Sequence, residues 1–397
     1  MRVLIAIGLP RQREAGAAGV VLNHERELSK RGHEVECWFL DDVLGRSRES
    51  GRFDGLRFSI EVARRILREP RRFDVVNIHA PWGCAYGIWR KMFGPEGAPP
   101  YVLTMQGSEE RFVQAMREED RKGHATNFAW KNRAWHRVYH RTMYERSIKT
   151  ADYGVVANEE GRRYAERVCG SRDGRFRFLP NGVEESFFQP REYGERKPLR
   201  LLYVGTWLDR KGVFYLAEAF RIAGARVPDL RLTVAGCMLG QEQVRGFFAP
   251  GMRARVDVKP FVSREEMPGL YAAHDIFVLA SLVEGMPLSL LEAMAAGMPA
   301  ATTRIGGMED LIRDGTDGLL APPADAKGLA EAIERLACSA ELRERLGRAA
   351  QERVRAQTWA DVARELEKTF MLAAASRQTQ RETSVSRSAE QHQGEGD

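Results

Sequence analysis

At 397 residues the chain is long for one hydrophobic core and suits two domains. A hydrophobic content of 43% is that of an ordinary soluble protein, and a net charge of +6, drawn mostly from Arg, is too mild at this length to indicate a nucleic-acid partner. Five scattered cysteines (Cys37, Cys84, Cys169, Cys237 and Cys338) include no Cys-x-x-Cys pair, which argues against a disulfide framework or a zinc site and for a reducing cytosol.

Met1-Arg2 is followed by only seven apolar or small residues before Pro10, too few for a signal peptide. No run approaches the length of a membrane span. The protein is therefore expected to be soluble and cytoplasmic, at most peripheral to the inner face of a membrane.

Arg2 to Gly8 reads as a first strand and Gly8 to Gly19 as a glycine-bearing loop. Val20 to Arg31 reads as a helix ended by Gly32, and His33 to Leu40 as a second strand. Backbone N–H groups of such a loop can approach a phosphate. It contains no ordered Gly-x-Gly-x-x-Gly, so a dinucleotide cofactor is not indicated. Asp74 to His79 reads as the next buried strand, with Ala80-Pro-Trp-Gly83 at its carboxyl end. His79 has the position of a catalytic base, although a histidine there more often completes a core edge. Tyr101 to Thr104 is a further strand and leads into Met105-Gln106-Gly107-Ser108, and Ala151 to Ala157 another.

Between them, Arg111 to Lys149 is basic and aromatic: Phe128, Trp130, Trp135, Tyr139 and Tyr144 are interleaved with Arg133, Arg137, Arg141 and Arg146. Trp and Tyr beside Arg suit an anionic membrane surface or a lipid-linked phosphate. A helix with aromatics on the core and Arg in water accounts for the same pattern and is preferred.

The second half opens after a polar linker, Arg191 to Pro198. Leu199 to Val204 is a strand, Gly205-Thr206-Trp207-Leu208-Asp209-Arg210-Lys211-Gly212 a loop, and Val213 to Ala223 a helix. Gly205 lets the backbone approach a ligand closely, and Lys211 can hold a diphosphate as a point charge. Strands at Leu230 to Ala235 and Val256 to Pro260 follow, with helices at Gln241 to Phe248 and Arg264 to His274.

The stretch from Asp275 to Gly318 organises the rest. Ile276 to Ala280 is a buried parallel strand by composition, and Leu288 to Ala296 a helix with Pro287 at its first position and Gly297 closing it. Met286 precedes the helix, so no side-chain oxygen caps its first amides, and those N–H groups can receive an anion. Glu284 lies in the loop, and Glu292 about a turn and a half into the helix, where a carboxylate can accept hydrogen bonds from a diol. Their spacing alone is uninformative, because it recurs in Glu61 with Glu69 and in Glu110 with Glu118.

The context is more specific. Glu284-Gly-Met-Pro-Leu-Ser-Leu-Leu-Glu292-Ala-Met-Ala-Ala-Gly, then Gly306-Gly307 and Asp317-Gly318-Leu-Leu, resembles the nucleotide-sugar-binding half of retaining glycosyltransferases of family four. The resemblance extends more weakly over residues 1 to 372. It implies the α/β GT-B fold, two facing Rossmann-like domains with parallel sheets and a cleft between them. The expected units are an acceptor domain over 1–185, a donor domain over 198–358, a helix over 359–376 crossing back, and a disordered polar tail over 377–397.

What the resemblance implies for single residues is equally definite. Lys211, with Arg210 and the amides of Leu288 and Ser289, would hold the diphosphate, and Glu284 would contact hydroxyls of the transferred sugar. Glu292 would hold the ribose hydroxyls, and Gly285-Met286-Pro287 would line the donor site. Three positions depart from the family pattern. Gly16-Ala-Ala-Gly19 stands where a Gly pair is usual, Thr206 where Arg follows the glycine, and Gln106 where His is frequent. Gln can donate a hydrogen bond but cannot relay a proton, so Gln106 would position the sugar. No cofactor and no metal are expected, only a nucleotide-diphosphate sugar as co-substrate and a carbohydrate or lipid-linked acceptor. A sugar-nucleotide 2-epimerase shares the fold, and a catalytically weak nucleotide-sugar-binding protein would fit the three departures.

Overall fold

Residues 1–11, 16–45, 53–95, 97–124, 140–194 and 198–393 are described by a computed structural model of the chain. The strands β1 (Arg2–Ala6), β2 (Glu34–Trp38), β3 (Val75–His79), β4 (Tyr101–Met105), β5 (Tyr153–Val156) and β6 (Phe176–Phe178) form one sheet, ordered β2-β1-β3-β4-β5-β6. A second sheet contains β7 (Arg200–Val204), β8 (Arg231–Ala235), β9 (Val256–Lys259), β10 (Ile276–Leu279), β11 (Ala300–Thr303) and β12 (Leu319–Ala321), ordered β12-β11-β10-β7-β8-β9. Pairing is parallel in both, and helices cover the faces, so β3, β4 and β10 are buried along their whole length. That burial is why β10 reads as an unbroken apolar run, whereas β3 and β4 each carry a polar residue inside, Asn77 and Thr104, which hydrogen-bond each other. This is the expected GT-B architecture.

Each sheet has a switch point, where neighbouring strands send their connections to opposite faces. In the second sheet it lies between β7 and β10, which pair through Ile276 with Leu201 and Phe277 with Leu202. Loops at the carboxyl ends of such a strand pair form a crevice for ligands. Gly205 to Lys211 leave the end of β7, and Ser281 to Glu284 the end of β10, so both candidate segments converge there.

The last helix begins at Trp359 and lays Ala363, Leu366, Phe370 and Ala373 on Val3, Ile5, Val75, Val102 and Val155 of the first sheet. Its length differs from expectation. The expected disordered tail is instead helical as far as Gln393, immediately before Gly394. The docked turns supply the nucleus, after which each added residue has only to propagate the helix, and no Gly or Pro interrupts residues 377–393. A second difference lies at the start. The first helix is Gly16–Lys30, so Gly16 and Gly19 are helical and not in a loop. Of the basic aromatic segment, Tyr144, Arg141 and Arg146 lie on the helix Arg141–Thr150, while Phe128, Trp130, Arg133, Trp135, Arg137 and Tyr139 fall outside the described residues.

The two halves meet closely. The Asn158 amide donates to the Gly285 carbonyl at 3.0 Å, the Asn181 amide to the Met286 carbonyl at 3.0 Å, and the Glu159 N–H to Asp310 at 2.8 Å. On another rim Tyr215 donates to Glu119 at 2.7 Å and accepts from Lys122 at 2.9 Å, and His124 stacks on Phe214 with centroids 4.8 Å apart. Gly285 is the tightest point, for a Cβ there would lie 1.4 Å from the Gln106 carbonyl oxygen.

His79 does not reach the cleft. It is 1% exposed beneath the first helix, beside His24, and neither ring nitrogen of either histidine has a hydrogen-bond partner among the described residues. Burial lowers His79 from 6.5 to about 3, with a further contribution from His24, and burial lowers His24 to about 4. Both imidazoles are therefore neutral in the folded state near pH 7.

Two outcomes follow from these contacts. Because both histidine values are depressed, their contribution to stability is complete above pH 6.5 and is lost as pH falls through 6.5 toward 4. Denaturant titrations at pH 7.5 and 5.5 should show a loss of up to about 1.4 kcal/mol per pH unit for each histidine, reduced in a His24→Leu variant. Gly285→Ala should push the halves apart, raising the radius of gyration in X-ray scattering and costing about 1–3 kcal/mol of stability. An unchanged radius would mean the contact yields elsewhere.

Candidate active site

The site is built where β7 and β10 end. After β7 the chain turns through Asp209–Lys211 and is closed by Gly212 at φ +65°. A Cβ at Gly212 would sit 1.9 Å from the Ala280 carbonyl oxygen, so only glycine lets this turn lie against the end of β10. The Leu282 N–H completes the join, donating to the Arg210 carbonyl at 2.8 Å.

That seating brings Lys211 to Glu284. The Lys211 ammonium donates to Glu284 Oε1, the Ser281 hydroxyl donates to the same oxygen at 2.8 Å, and Arg210 Nη1 lies 3.8 Å from Oε2. The side chains of Lys211 and Glu284 are only 11% and 8% exposed, so water screens the pair weakly. Burial pushes the Glu284 carboxyl up, but the Lys211 and Arg210 charges and the hydrogen bonds from Lys211 and Ser281 outweigh it and hold the group below its ordinary value. Thr206, where the family pattern has Arg, is exposed. Arg210 brings the second positive charge to Glu284 instead.

The helix Leu288–Ala295 starts beside this pair. Pro287 occupies the capping position, one residue earlier than expected, and supplies no side-chain cap. The Leu290 N–H donates to the Pro287 carbonyl at 3.2 Å, while the Leu288 and Ser289 N–H groups have no acceptor among the described residues. Leu288 shares an apolar cluster with Val20, Leu179, Trp359 and Val362. The first turn of the helix carrying Gly16 and Gly19 is therefore close to this helix start. Gln106 contributes its backbone carbonyl to the contact with Gly285.

Glu292 is 4% exposed, further along the same helix. Its Oε1 accepts from the Arg264 guanidinium, and its Oε2 accepts from the Tyr271 hydroxyl at 2.8 Å. Burial pushes the Glu292 carboxyl up, and Arg264 and Tyr271 offset that only in part, leaving it above its ordinary value. The two glutamates are thus shifted in opposite directions.

The structure therefore gathers Gly205, Arg210, Lys211, Glu284, Gly285, Met286, Pro287, Leu288 and Ser289 at one switch point, with Glu292 behind them. Sequence reasoning missed Ser281, Asn158, Asn181, Tyr271 and the contacts of Arg264. Ser281 was within reach, three residues before Glu284 in the same loop. The others come from distant segments, and no local pattern marks them.

Two family models match the chain in succession. Glycosyltransferase Family 4 covers residues 15–187, and Glycosyl transferases group 1 covers residues 184–353. Alpha-D-kanosaminyltransferase of Streptomyces kanamyceticus is 34% identical over 147 residues, a match spanning 37% of this chain and 38% of that protein. Among solved structures, sucrose-phosphate synthase from Thermosynechococcus elongatus superposes with a TM-score of 0.75 at 18% identity, covering 95% of this chain and 100% of that one. Anabaena HepE in complex with UDP gives 0.66 at 14% identity, covering 94% and 100%. These likenesses show a shared GT-B frame. With both family models laid along it, the chain belongs to the GT-B glycosyltransferases of the family-four type.

Proposed function

We propose that the protein is a retaining glycosyltransferase that moves a hexosyl group from a nucleotide-diphosphate sugar to a carbohydrate or lipid-linked acceptor, in surface polysaccharide or glycolipid synthesis. The observation that carries this reading is the convergence of Lys211 and Arg210 on buried Glu284 beside an uncapped helix start. That is a place built to accept phosphate charge. The diphosphate is the leaving group, so catalysis depends on stabilising the negative charge that grows on it.

In this reading the bond from the sugar's anomeric carbon to the diphosphate oxygen breaks, and the acceptor oxygen bonds to that carbon from the same face. The acceptor proton passes to the departing diphosphate. Lys211, Arg210 and the amides of Leu288 and Ser289 hold the diphosphate, and Glu284 accepts from hydroxyls of the sugar. Glu292 takes the ribose diol. No protein group has to act as a general base, which suits a Gln at position 106. Because HepE is solved with UDP, UDP is the first nucleotide to try here. For the acceptor, a lipid-linked chain agrees with the basic face of the helix Arg141–Thr150. No described helix is long and apolar enough to cross a membrane, so any membrane contact of that helix would be peripheral.

Thermal unfolding with UDP, GDP, ADP and their sugars, on wild type and Glu292→Ala, tests the donor site. A nucleotide at a hundred times its dissociation constant adds about 2.7 kcal/mol of stability, and the variant should lose the shift. No shift with any nucleotide would count against a transferase. Lys211→Gln should cost about 1.5–3 kcal/mol of transition-state stabilisation, roughly ten- to over a hundredfold in turnover. Turnover within threefold of wild type would remove Lys211 from the mechanism.

A further inference from the structure

One arginine at the nucleoside end of this site has no part in the reading above. Arg264 follows β9, at the carboxyl edge of the second sheet. Its guanidinium lies between two carboxylates, donating to Glu292 Oε1 on one side and standing 3.3 Å from Glu184 Oε1 on the other. The ring of Phe187 sits beneath it, 4.7 Å from the guanidinium carbon. Glu184 also faces Arg26 of the first helix at 4.0 Å. Arg264 is thus held in place by Glu184 and Phe187 independently of Glu292.

The chemistry of diol recognition makes that placement meaningful. A ribose 2′,3′-diol donates two hydrogen bonds to a carboxylate, and it can do so only while the carboxylate is an acceptor at both oxygens. A buried, unpaired carboxyl tends to hold its proton, and one oxygen then becomes a donor. Around Glu292 the charged and titratable groups are Arg264, Tyr271 and Glu184. Tyr271 supplies a hydrogen bond but no charge, and Glu184 repels, so the positive charge supplied to Glu292 among the described residues is that of Arg264. It uses one oxygen of Glu292, and the Tyr271 hydroxyl the other, leaving a lone-pair site on each for the diol.

We propose that Arg264 is the positioning residue of the ribose site: clamped by Glu184 and Phe187, it keeps Glu292 an oriented, acceptor-only carboxylate and so sets the preference for ribonucleotides over deoxyribonucleotides. The inference rests on the reading that Glu292 holds the ribose. An Arg is suited to it because a planar fork can serve two carboxylates at once, whereas an ammonium is a single point charge.

The test is calorimetric binding of UDP, GDP and their 2′-deoxy and 3′-deoxy counterparts to the full chain between pH 5.5 and 8.5. Wild type, Arg264→Gln, Arg264→Lys, Glu184→Gln and Glu292→Gln are compared. Wild type should prefer the ribonucleotide by about tenfold or more. Arg264→Gln should lose that preference at pH 5.5 and regain part of it by pH 8.5, as Glu292 ionises without its partner. Arg264→Lys should keep an intermediate preference, and Glu184→Gln should lose less of it than Arg264→Gln at every pH, because it loosens the clamp but also removes a charge that repels Glu292. In turnover the loss should appear in KM for the donor rather than in kcat. If Arg264→Gln keeps the wild-type preference at every pH while Glu292→Gln loses it, the ribose site stands and the role of Arg264 is overturned. If wild type shows no preference, or Glu292→Gln keeps it, the underlying assignment of Glu292 fails.

Discussion

An ionised carboxylate taken out of water is stable only if opposite charge and hydrogen bonds are waiting for it, and the candidate site holds two withdrawn carboxylates, Glu284 and Glu292. Glu284 meets that condition through Lys211, Arg210 and Ser281, and Glu292 meets it only in part through Arg264 and Tyr271. Much of the local architecture serves to bring these partners in. Gly212 lets the turn after β7 touch β10, which delivers Lys211. The turn after β9 delivers Arg264. Removing one partner would leave a buried charge uncompensated, so the pairs constrain stability and the site together.

The two glutamates are not equivalent, and the difference matches the chemistry proposed for each. Glu284 is held low by two positive groups, so an incoming diphosphate finds Lys211 and Arg210 already gathered and already close to an anion. Binding adds negative charge to a cluster in which one carboxylate faces two cations and a net positive charge is left over, with the helix amides of Leu288 and Ser289 following it. Arg210 explains why Thr206 need not weaken that cluster. It reaches Glu284 from the other end of the same loop, because the close contact at Gly212 folds the loop back. A linear comparison of position 206 does not register this.

Legibility in the sequence followed the range of the interactions involved. The buried strands were readable because β10 is apolar throughout and β3 and β4 are mostly so, and the helix after Glu284 because Pro287 and Gly297 bracket it. The helix Asp54–Arg68 was also readable in principle, with Phe58, Val62, Ala63 and Ile66 at helical spacing on its buried face. The pairing of Glu292 with Arg264 was not. It spans 28 residues and depends on the chain crossing from β9 at the sheet edge back to β10 beyond β7 and β8, which no periodicity records. The tail was misread for a related reason. Composition judged residues 377–393 as an isolated segment, whereas in the fold they continue a helix already nucleated by burial of Trp359 to Ala373.

The loop that carries Glu284 is also where the two halves touch. Gly285 lies against the Gln106 backbone, and the carbonyls of Gly285 and Met286 are bonded by Asn158 and Asn181 of the opposite half. Leu288, the first residue of the helix, packs with Trp359, where the chain crosses back. Opening the cleft on this side must therefore break hydrogen bonds to the residues directly following Glu284, while opening the other rim must separate Tyr215 from Glu119. The loop is thus tied to Lys211 on its own side and to Asn158 and Asn181 on the other. Domain position and site geometry are in this sense one variable, and the flanking glycines are where it is set.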